Sequence, residues 1–549
     1  MPTISVNRKE FEKLVAKKLA DSKLKDRISF LGTDLEEVTS EEIKVEVFPN
    51  RPDMLSLQGF ARAFSSFIGA KPGLRRYDVS DPKHEVIIDK SVSKVRPYTA
   101  CAIVKGIRYD DERIKEVVQL QEKLHVTYGR NRRKAAIGIY PFEKIKPPIR
   151  FMARKPEDIV FQPLEFPKAI DARKILSMHP AGREYGHLLE GYDVFPFFID
   201  AKDEILSVPP IINSHNTGKI GYETKDVFIE CSGFDFQVLS RCINMIVAAM
   251  SEMGGKICSM KLRYPDKTII SPDMSPEKMS LDLEYANKLL GLSLDKKQAH
   301  KLLEMMGYGI DKGSVLIPSY RADILHQSDL CEDIAIAYGY ENFEAEIPNV
   351  ATIGQEDAFE VFKDKVAQLL CGLELIEVNT YNLTNKETQC SKMDAKIELI
   401  ELANSLSAEY DVLRAWTLPS LMEIFANNRH HDYPQKIFGI GTIFKKNAKT
   451  DTGIEENDRL SAAVCSDTAG YTEIKQIFDY LMRQLDLEYE LEETEHPSFI
   501  PGRVARAKVK GKKVAYIGEI SPTVLDNFHL EMPVCAFELN LSDLFGLIG

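Results

Sequence analysis

The hydrophobic positions along the chain divide into four stretches. Up to about residue 80, Val45-Glu46-Val47-Phe48 reads as a short strand, followed by the turn-rich Pro49-Asn50-Arg51-Pro52-Asp53. Leu55, Leu57, Phe60, Ala61, Phe64 and Ile68 then recur at helical spacing, with Gly69 near the end. Asn50 and the two prolines give this helix a rigid entry, and Asp53 is placed to accept from amides of its first turn. From about 85 to 268 strands and helices mix. Ala135 to Tyr140 and Val227 to Cys231 are apolar enough for buried strands. Leu206 to Ser214 contains Pro209-Pro210, which no interior ladder accommodates, so it is predicted as a sheet edge or a stiff loop. Leu239, Ile243, Val247 and Met250 mark a helix closed by Gly254-Gly255.

Between about 270 and 350 the pattern is helical again. Leu283, Ala286, Leu289 and Leu290 predict one helix; Ala299, Leu302, Leu303 and Met306 predict a second, stopped by Gly307. A strand at Val315 to Pro318 and a helix from Ser328 to Tyr338 complete an order that resembles a winged helix-turn-helix. From 355 to 549 helices and strands alternate over the length of a full α+β domain. The fold class is therefore α+β multidomain, with divisions expected at 1–82, 83–268, 269–350 and 351–549.

Bulk composition narrows the function classes. At 549 residues the chain is too long for one core, and 44% hydrophobic with 28% charged residues is a globular balance. No apolar run reaches the roughly 18 residues of a membrane helix, and the first residues have no signal-peptide stretch. Nine cysteines without a Cys-x-x-Cys pair point to reduced thiols in a cytoplasmic protein. The net charge of -12 excludes gripping nucleic acid with the whole surface. Any RNA contact is local or made by a partner. Arg130-Asn131-Arg132-Arg133-Lys134 has the character of such a patch, and a solvated basic turn explains it as well.

The sharpest chemical signal runs from Ser319 to Asp333. On a helix Asp329, Glu332 and Asp333 share one face, and Asp323 precedes them within reach. Two readings follow. Acids in a first turn complement the helix dipole, with Ser328 as cap; or four crowded carboxylates, repelling one another, hold a hard cation such as hydrated magnesium. The same carboxylates would repel phosphate, so this module is not a DNA reader.

With these residues in view the chain resembles the phenylalanyl-tRNA synthetase beta-subunit family, in its archaeal and eukaryotic form. The likeness covers nearly the whole chain. It rests on Phe48 to Asp53, Arg132 to Tyr140, Gly182-Arg183-Glu184-Tyr185-Gly186-His187-Leu188, Pro209 to Ser214, and the acidic segment with Ile336-Ala337-Tyr338-Gly339-Tyr340. The resemblance implies magnesium on Asp323, Asp329, Glu332 and Asp333. It implies tRNA(Phe) contact near Arg130, Arg132, Arg133 and Lys134, and an alpha-subunit partner in a tetramer of two alpha and two beta chains. It makes 1–82 an N-terminal module, 83–268 an editing-type domain, 269–350 a winged-helix-like module and 351–549 a class II synthetase catalytic-like domain.

That last domain resembles the class through Asn404 to Ser407, Val412-Leu413-Arg414, Ile437 to Phe444, Pro501-Gly502-Arg503 and Ile517 to Pro522. Catalytic versions place an Arg after the strand and a Glu two residues beyond, whereas Phe444 is followed by Lys445, Lys446 and Asn447. Without those clamps adenylate formation is unsupported. No residue of this chain is expected to catalyse amino-acid activation, which falls to the alpha subunit. The chain also lacks the OB-like insert and the anticodon-binding module of bacterial relatives.

A pocket for phenylalanine rejects tyrosine by only about a hundredfold, so a second, hydrolytic site that reads the hydroxyl is expected. The resemblance puts it in the second region, with Glu230 as the hydroxyl-reading carboxylate and Asn213 and Ser214 in the lining loop. For Glu230 the plain alternative is a strand-end acid facing water, and for Asn213 and Ser214 ordinary turn chemistry. Two other functions compete: a stand-alone magnesium-dependent hydrolase built on the four acids, which lacks a placed base because His326 lies on the intervening loop, and a purely structural scaffold.

Overall fold

The computed structural model describes residues 2–347, 349–350 and 353–548. It has two compact units, 1–347 and 348–549, each α+β with its own sheets. The expected break at 350/351 involves Ala351, which lies outside the described residues. The breaks at 82/83 and 268/269 fall inside strands Val79–Ile88 and Thr268–Ser271. Pairing with Lys256–Arg263 is continuous across 268/269, so that position is no linker, while at 82/83 the ladder to the same strand shifts register between Ser80 and His84.

The first unit opens with a three-stranded sheet whose central strand is Glu42–Val47. The helix Leu57–Phe67 packs beside it, with Phe60 and Phe64 against Phe11. Its amides are capped by Ser56, whose hydroxyl accepts from Gly59 N. Asp53 does not serve that purpose: its carboxylate takes both forks of Arg51, at 2.8 and 2.9 Å, and both side chains are buried. A buried guanidinium needs an acceptor more than an N-terminal amide does, and Arg51 stands two residues away.

A ten-stranded sheet follows, and its curl makes the site. The edge strand Ile212–Asn213 pairs with Ile205–Val208, so the Pro209-Pro210 segment is the turn of an edge hairpin, as predicted. The order then runs through Phe195–Ile199, Ile149–Arg154, Val79–Ile88, Lys256–Arg263, Tyr98–Lys105 and Val227–Gly233 to the other edge, Ala135–Pro141. Alternation sends Ile229 and Cys231 toward the helix Phe236–Glu252, and Phe228 toward Tyr140, Phe151 and Phe198. Glu230 shares the face of Phe228. The sheet curls until its two edges meet through side chains, with the Tyr140 hydroxyl 2.8 Å from Ser207 Oγ.

After this sheet come the helices Leu283–Leu290 and Lys296–Met305, a three-stranded sheet and the helix Gln327–Tyr338. Sequence periodicity locates all three helices and the strand Ser314–Ile317. The flanking strands Glu277–Met279 and Gly309–Asp311 are too short for it to detect.

The second unit is built on a seven-stranded sheet, antiparallel except for Ile376–Glu377 beside Gln435–Lys446. Phe444, Lys445 and Lys446 continue that strand. Several polar groups on this sheet are paired. Glu538 accepts from Arg459 at 2.7 Å and from the amides of Thr417 and Leu418. Arg506 lies 3.8 Å over the Tyr516 ring. Arg414 donates to the Thr442 carbonyl at 2.7 Å and fills the space beside Gly441, where a Cβ would meet it at 2.1 Å.

Candidate functional site

Between the meeting edges of the large sheet lies a cavity of 140 Å³, lined by Ala136, Ile137, Leu164, Pro209 to Asn213 and Glu230, with Gln121, Glu122, His125 and Arg132 alongside. Glu230 is not a strand-end acid. It sits in the middle of Val227–Gly233 and is only 1% exposed. Opposite it stands Gly138, where a Cβ would lie 2.6 Å from Glu230 Oε1 and 2.1 Å from the Tyr140 hydroxyl. Glycine is therefore what admits both groups to one notch.

Tyr140 donates or accepts at three oxygens: Ser207 Oγ at 2.8 Å, Glu230 Oε1 at 3.2 Å and Asn213 Oδ1 at 3.3 Å. Glu230 Oε2 is buried and has no hydrogen-bond partner among the described residues. Burial pushes the Glu230 carboxyl up to about 8, opposed first by the charge of Arg96 and then by Tyr140. Ser232, the weakest opposing influence, makes no bond of normal geometry to Oε2. Arg96 is itself buried, which lowers it to about 10, and is held by Ser232 Oγ at 3.0 Å.

Of the sequence-derived pocket residues, Glu230 and Asn213 come together. Ser214 is buried but not in the cavity lining; its hydroxyl accepts from Asn216 N and its amide donates to the Leu206 carbonyl, so turn chemistry describes it. Gly138 and Tyr140 lie within the Arg132 to Tyr140 motif and Ser207 within the Leu206 to Ser214 segment, but the sequence pattern gives none of them a role, and Arg96 belongs to no motif. The signal that could have found Tyr140 is a phenol inside an otherwise apolar strand, which requires a buried partner.

The basic turn divides. Arg130, Asn131 and Arg132 all have left-handed φ, between 48° and 64°. Arg130, Arg133 and Lys134 are exposed. Arg132 instead turns inward, donating to the carbonyls of Pro210 (3.3 Å) and Ile211 (3.0 Å), with its guanidinium 4.1 Å from the Tyr185 ring. It tethers the edge hairpin and, unlike its neighbours, is not an exposed cation, contrary to the expectation of a tRNA contact there. His125 is no base: Nε2 accepts from Ile137 N at 2.8 Å, which leaves the proton on Nδ1, facing Glu122 at 3.3 Å.

The four acids do not converge. Arg321, buried, donates to Asp323 at 2.8 and 2.7 Å and to Asp333 at 2.8 Å, and Tyr308 donates to Asp333 at 2.5 Å. Asp329 accepts from the amides of Leu325 (2.7 Å) and His326 (2.8 Å), with His326 in the N-cap position expected of Ser328. Exposed Glu332 accepts from Tyr340 at 2.8 Å. Among the described residues no three His, Cys, Asp or Glu side chains could together hold an ion. The arrangement does not fit a four-carboxylate magnesium cage. The repulsion that suggested a cation is relieved by Arg321. Calorimetric titration with magnesium is expected to give the same heats for the parent chain and for Asp329→Asn with Glu332→Gln. Loss of a tight site in that variant would restore the cage.

Comparison with known proteins agrees with these units. Residues 1–70 match the model of the "Phe-tRNA synthetase beta subunit B1 domain", 279–340 the "tRNA synthetase B5 domain" and 344–541 the "Phenylalanyl tRNA synthetase beta chain CLM domain". The class is thus that of aminoacyl-tRNA synthetase subunits. The phenylalanine–tRNA ligase beta subunit of Pyrococcus abyssi is 41% identical over 99% of this chain and 100% of its own length. That of Archaeoglobus fulgidus is 38% identical over 99% of each. A crystal structure of an N-terminal fragment of the Pyrococcus horikoshii beta subunit is similar over 61% of this chain and 99% of its own, at 36% identity and a TM-score of 0.59. The chain belongs to the phenylalanine–tRNA ligase beta-subunit family, and it is a ligase subunit of protein biosynthesis.

Proposed function

We propose that the chain joins an alpha subunit, as two alpha and two beta chains, to convert ATP, L-phenylalanine and tRNA(Phe) into L-phenylalanyl-tRNA(Phe), and that the cavity at Glu230 clears mischarged Tyr-tRNA(Phe). The observation that carries the second part is a buried carboxyl oxygen with no partner among the described residues, on a side chain that lines a 140 Å³ cavity. A cavity of about 150 Å³ accepts one benzene ring. A tyrosyl ring of that size brings its hydroxyl to Glu230, whereas phenylalanine leaves the oxygen stranded, and an unpaired buried acceptor supports strong discrimination. The chain's residues select and orient; neither His125 nitrogen is free to take a proton from the attacking water. The test is hydrolysis of Tyr-tRNA(Phe) against Phe-tRNA(Phe) by the assembled complex, where equal rates would sink the reading.

The same proposal reads 279–340 as a winged-helix-like module and the second unit as a class II catalytic look-alike. Support comes from the strand running on through Lys445 and Lys446 to Asn447, with no Arg after it and no Glu two residues beyond, as an ATP clamp would need. Magnesium that accompanies ATP is held by its phosphates and requires nothing from the four acids. The isolated chain is expected to show no phenylalanine-dependent exchange of pyrophosphate into ATP, with exchange restored by an alpha subunit. Robust exchange by the chain alone would make the second unit catalytic. The exposed Arg130, Arg133 and Lys134 are offered to the tRNA backbone. All nine cysteines are free thiols, in keeping with the reducing cytoplasm, and no helix among the described residues is long and apolar enough to cross a membrane.

A further inference from the structure

The Tyr140 hydroxyl is fully buried and carries a single proton, yet it has three oxygen neighbours. That proton serves only one of them; the Ser207 hydroxyl, which can donate as well as accept, can supply its own proton and free the phenol's for Asn213 or Glu230. The third contact is satisfied when Glu230 itself brings a proton on Oε1. In either arrangement Oε1 is occupied, and Oε2 is the oxygen left to accept from a ligand. We propose that Tyr140 is the positioning residue of this site: it turns one Glu230 oxygen away and presents the other to a para-substituted phenol in the cavity. The inference rests on the hydroxyl-reading function proposed for Glu230 and deepens it.

The arrangement has two supports beyond the hydrogen bonds. Gly138 leaves just the notch in which the Tyr140 hydroxyl meets Glu230, since a Cβ there would overlap both. Tyr140 also spans the gap between the two sheet edges, so it ties the Glu230 strand to the hairpin bearing Ser207 and Asn213. Removing its hydroxyl lets Glu230 rotate and takes away a bond that favours the ionised carboxylate more than the neutral acid, because charge-assisted bonds are the stronger.

The probe is p-cresol, titrated into the full-length chain by ligand-observed NMR across pH, with toluene as the control lacking the hydroxyl. The parent is expected to prefer p-cresol, with a pH-dependent affinity that reports the Glu230 titration. Tyr140→Phe should weaken p-cresol roughly tenfold, leave toluene unchanged, and move the pH midpoint upward by roughly one unit. Ser207→Ala, which keeps the phenol, should move both in the same direction by less, and it decides the matter if Tyr140→Phe does not fold. A weakened affinity with an unmoved midpoint would mean a merely structural tyrosine and overturn the proposal, as would a parent chain that does not prefer p-cresol to toluene. If the midpoint shifts as stated but the complex does not hydrolyse Tyr-tRNA(Phe), the positioning role stands and the editing function falls.

Discussion

Replacing Glu230 by alanine is expected to slow hydrolysis of Tyr-tRNA(Phe) by the assembled complex and leave phenylalanine charging nearly unchanged, with an effect that grows with pH. Burial raises this carboxyl to about 8, so at pH 7 it is largely the neutral acid. A hydrogen bond to a neutral acceptor is worth about 0.5–1.5 kcal/mol, a loss of roughly 2- to 12-fold. At pH 9 the carboxylate accepts a charge-assisted bond of about 1.5–3 kcal/mol, a loss of roughly 12- to 150-fold. Glu230→Gln keeps an acceptor without charge, so it should resemble the parent at pH 7 and fall behind at pH 9. A pH-independent effect of Glu230→Ala would mean that the carboxyl does not touch the substrate hydroxyl.

The same shift makes a stability statement whose sign is fixed. Glu230 is raised on folding from about 4.5 to about 8, so across that window the folded chain holds a proton that the unfolded chain releases. Its contribution is complete below the lower value and declines as pH rises through the upper one. Glu230→Gln removes that slope. Denaturation midpoints of parent and variant should therefore diverge with rising pH, in favour of the variant.

The second large effect is expected at Arg321. Its guanidinium is 2% exposed and holds Asp323 and Asp333. Arg321→Ala leaves two carboxylates without their cation, the situation in which breaking a buried ion cluster costs about 3–5 kcal/mol. Replacing all three, as Arg321→Met with Asp323→Asn and Asp333→Asn, should recover most of the loss, because no charge is then stranded. The single tryptophan, Trp416, lies in the second unit, so its fluorescence does not report here. Hydrogen exchange in the helix Gln327–Tyr338 does. Unchanged protection in Arg321→Ala would show the cluster to be a solvated acidic face, open again to a metal.

Local signals settled a definite share of this protein. Helical spacing located Leu57–Phe67, Phe236–Glu252 and Gln327–Tyr338, because an amphipathic period is written in adjacent turns. The paired prolines announced the edge hairpin, and the run Val227 to Cys231 announced a buried strand. The resemblance in motifs named Glu230, and the family comparison bears out the family. The partners of the chemical groups were beyond its reach. Whether Glu230 faces water or a cavity depends on the curl that carries Tyr140, at one end of a ten-stranded sheet, to Ser207 and Asn213 at the other. Whether four neighbouring acids hold a metal depends on where Arg321 points, and a one-dimensional pattern of charges does not encode direction. Whether Arg132 reaches RNA or a backbone carbonyl turns on three successive left-handed residues. The sequence by itself determined the elements and the kinds of groups present, since these follow from periodicity and composition within a few residues. Only the tertiary structure decided which charges are paired and which oxygen is left free, because desolvation and hydrogen-bond geometry are properties of neighbours brought together from far along the chain.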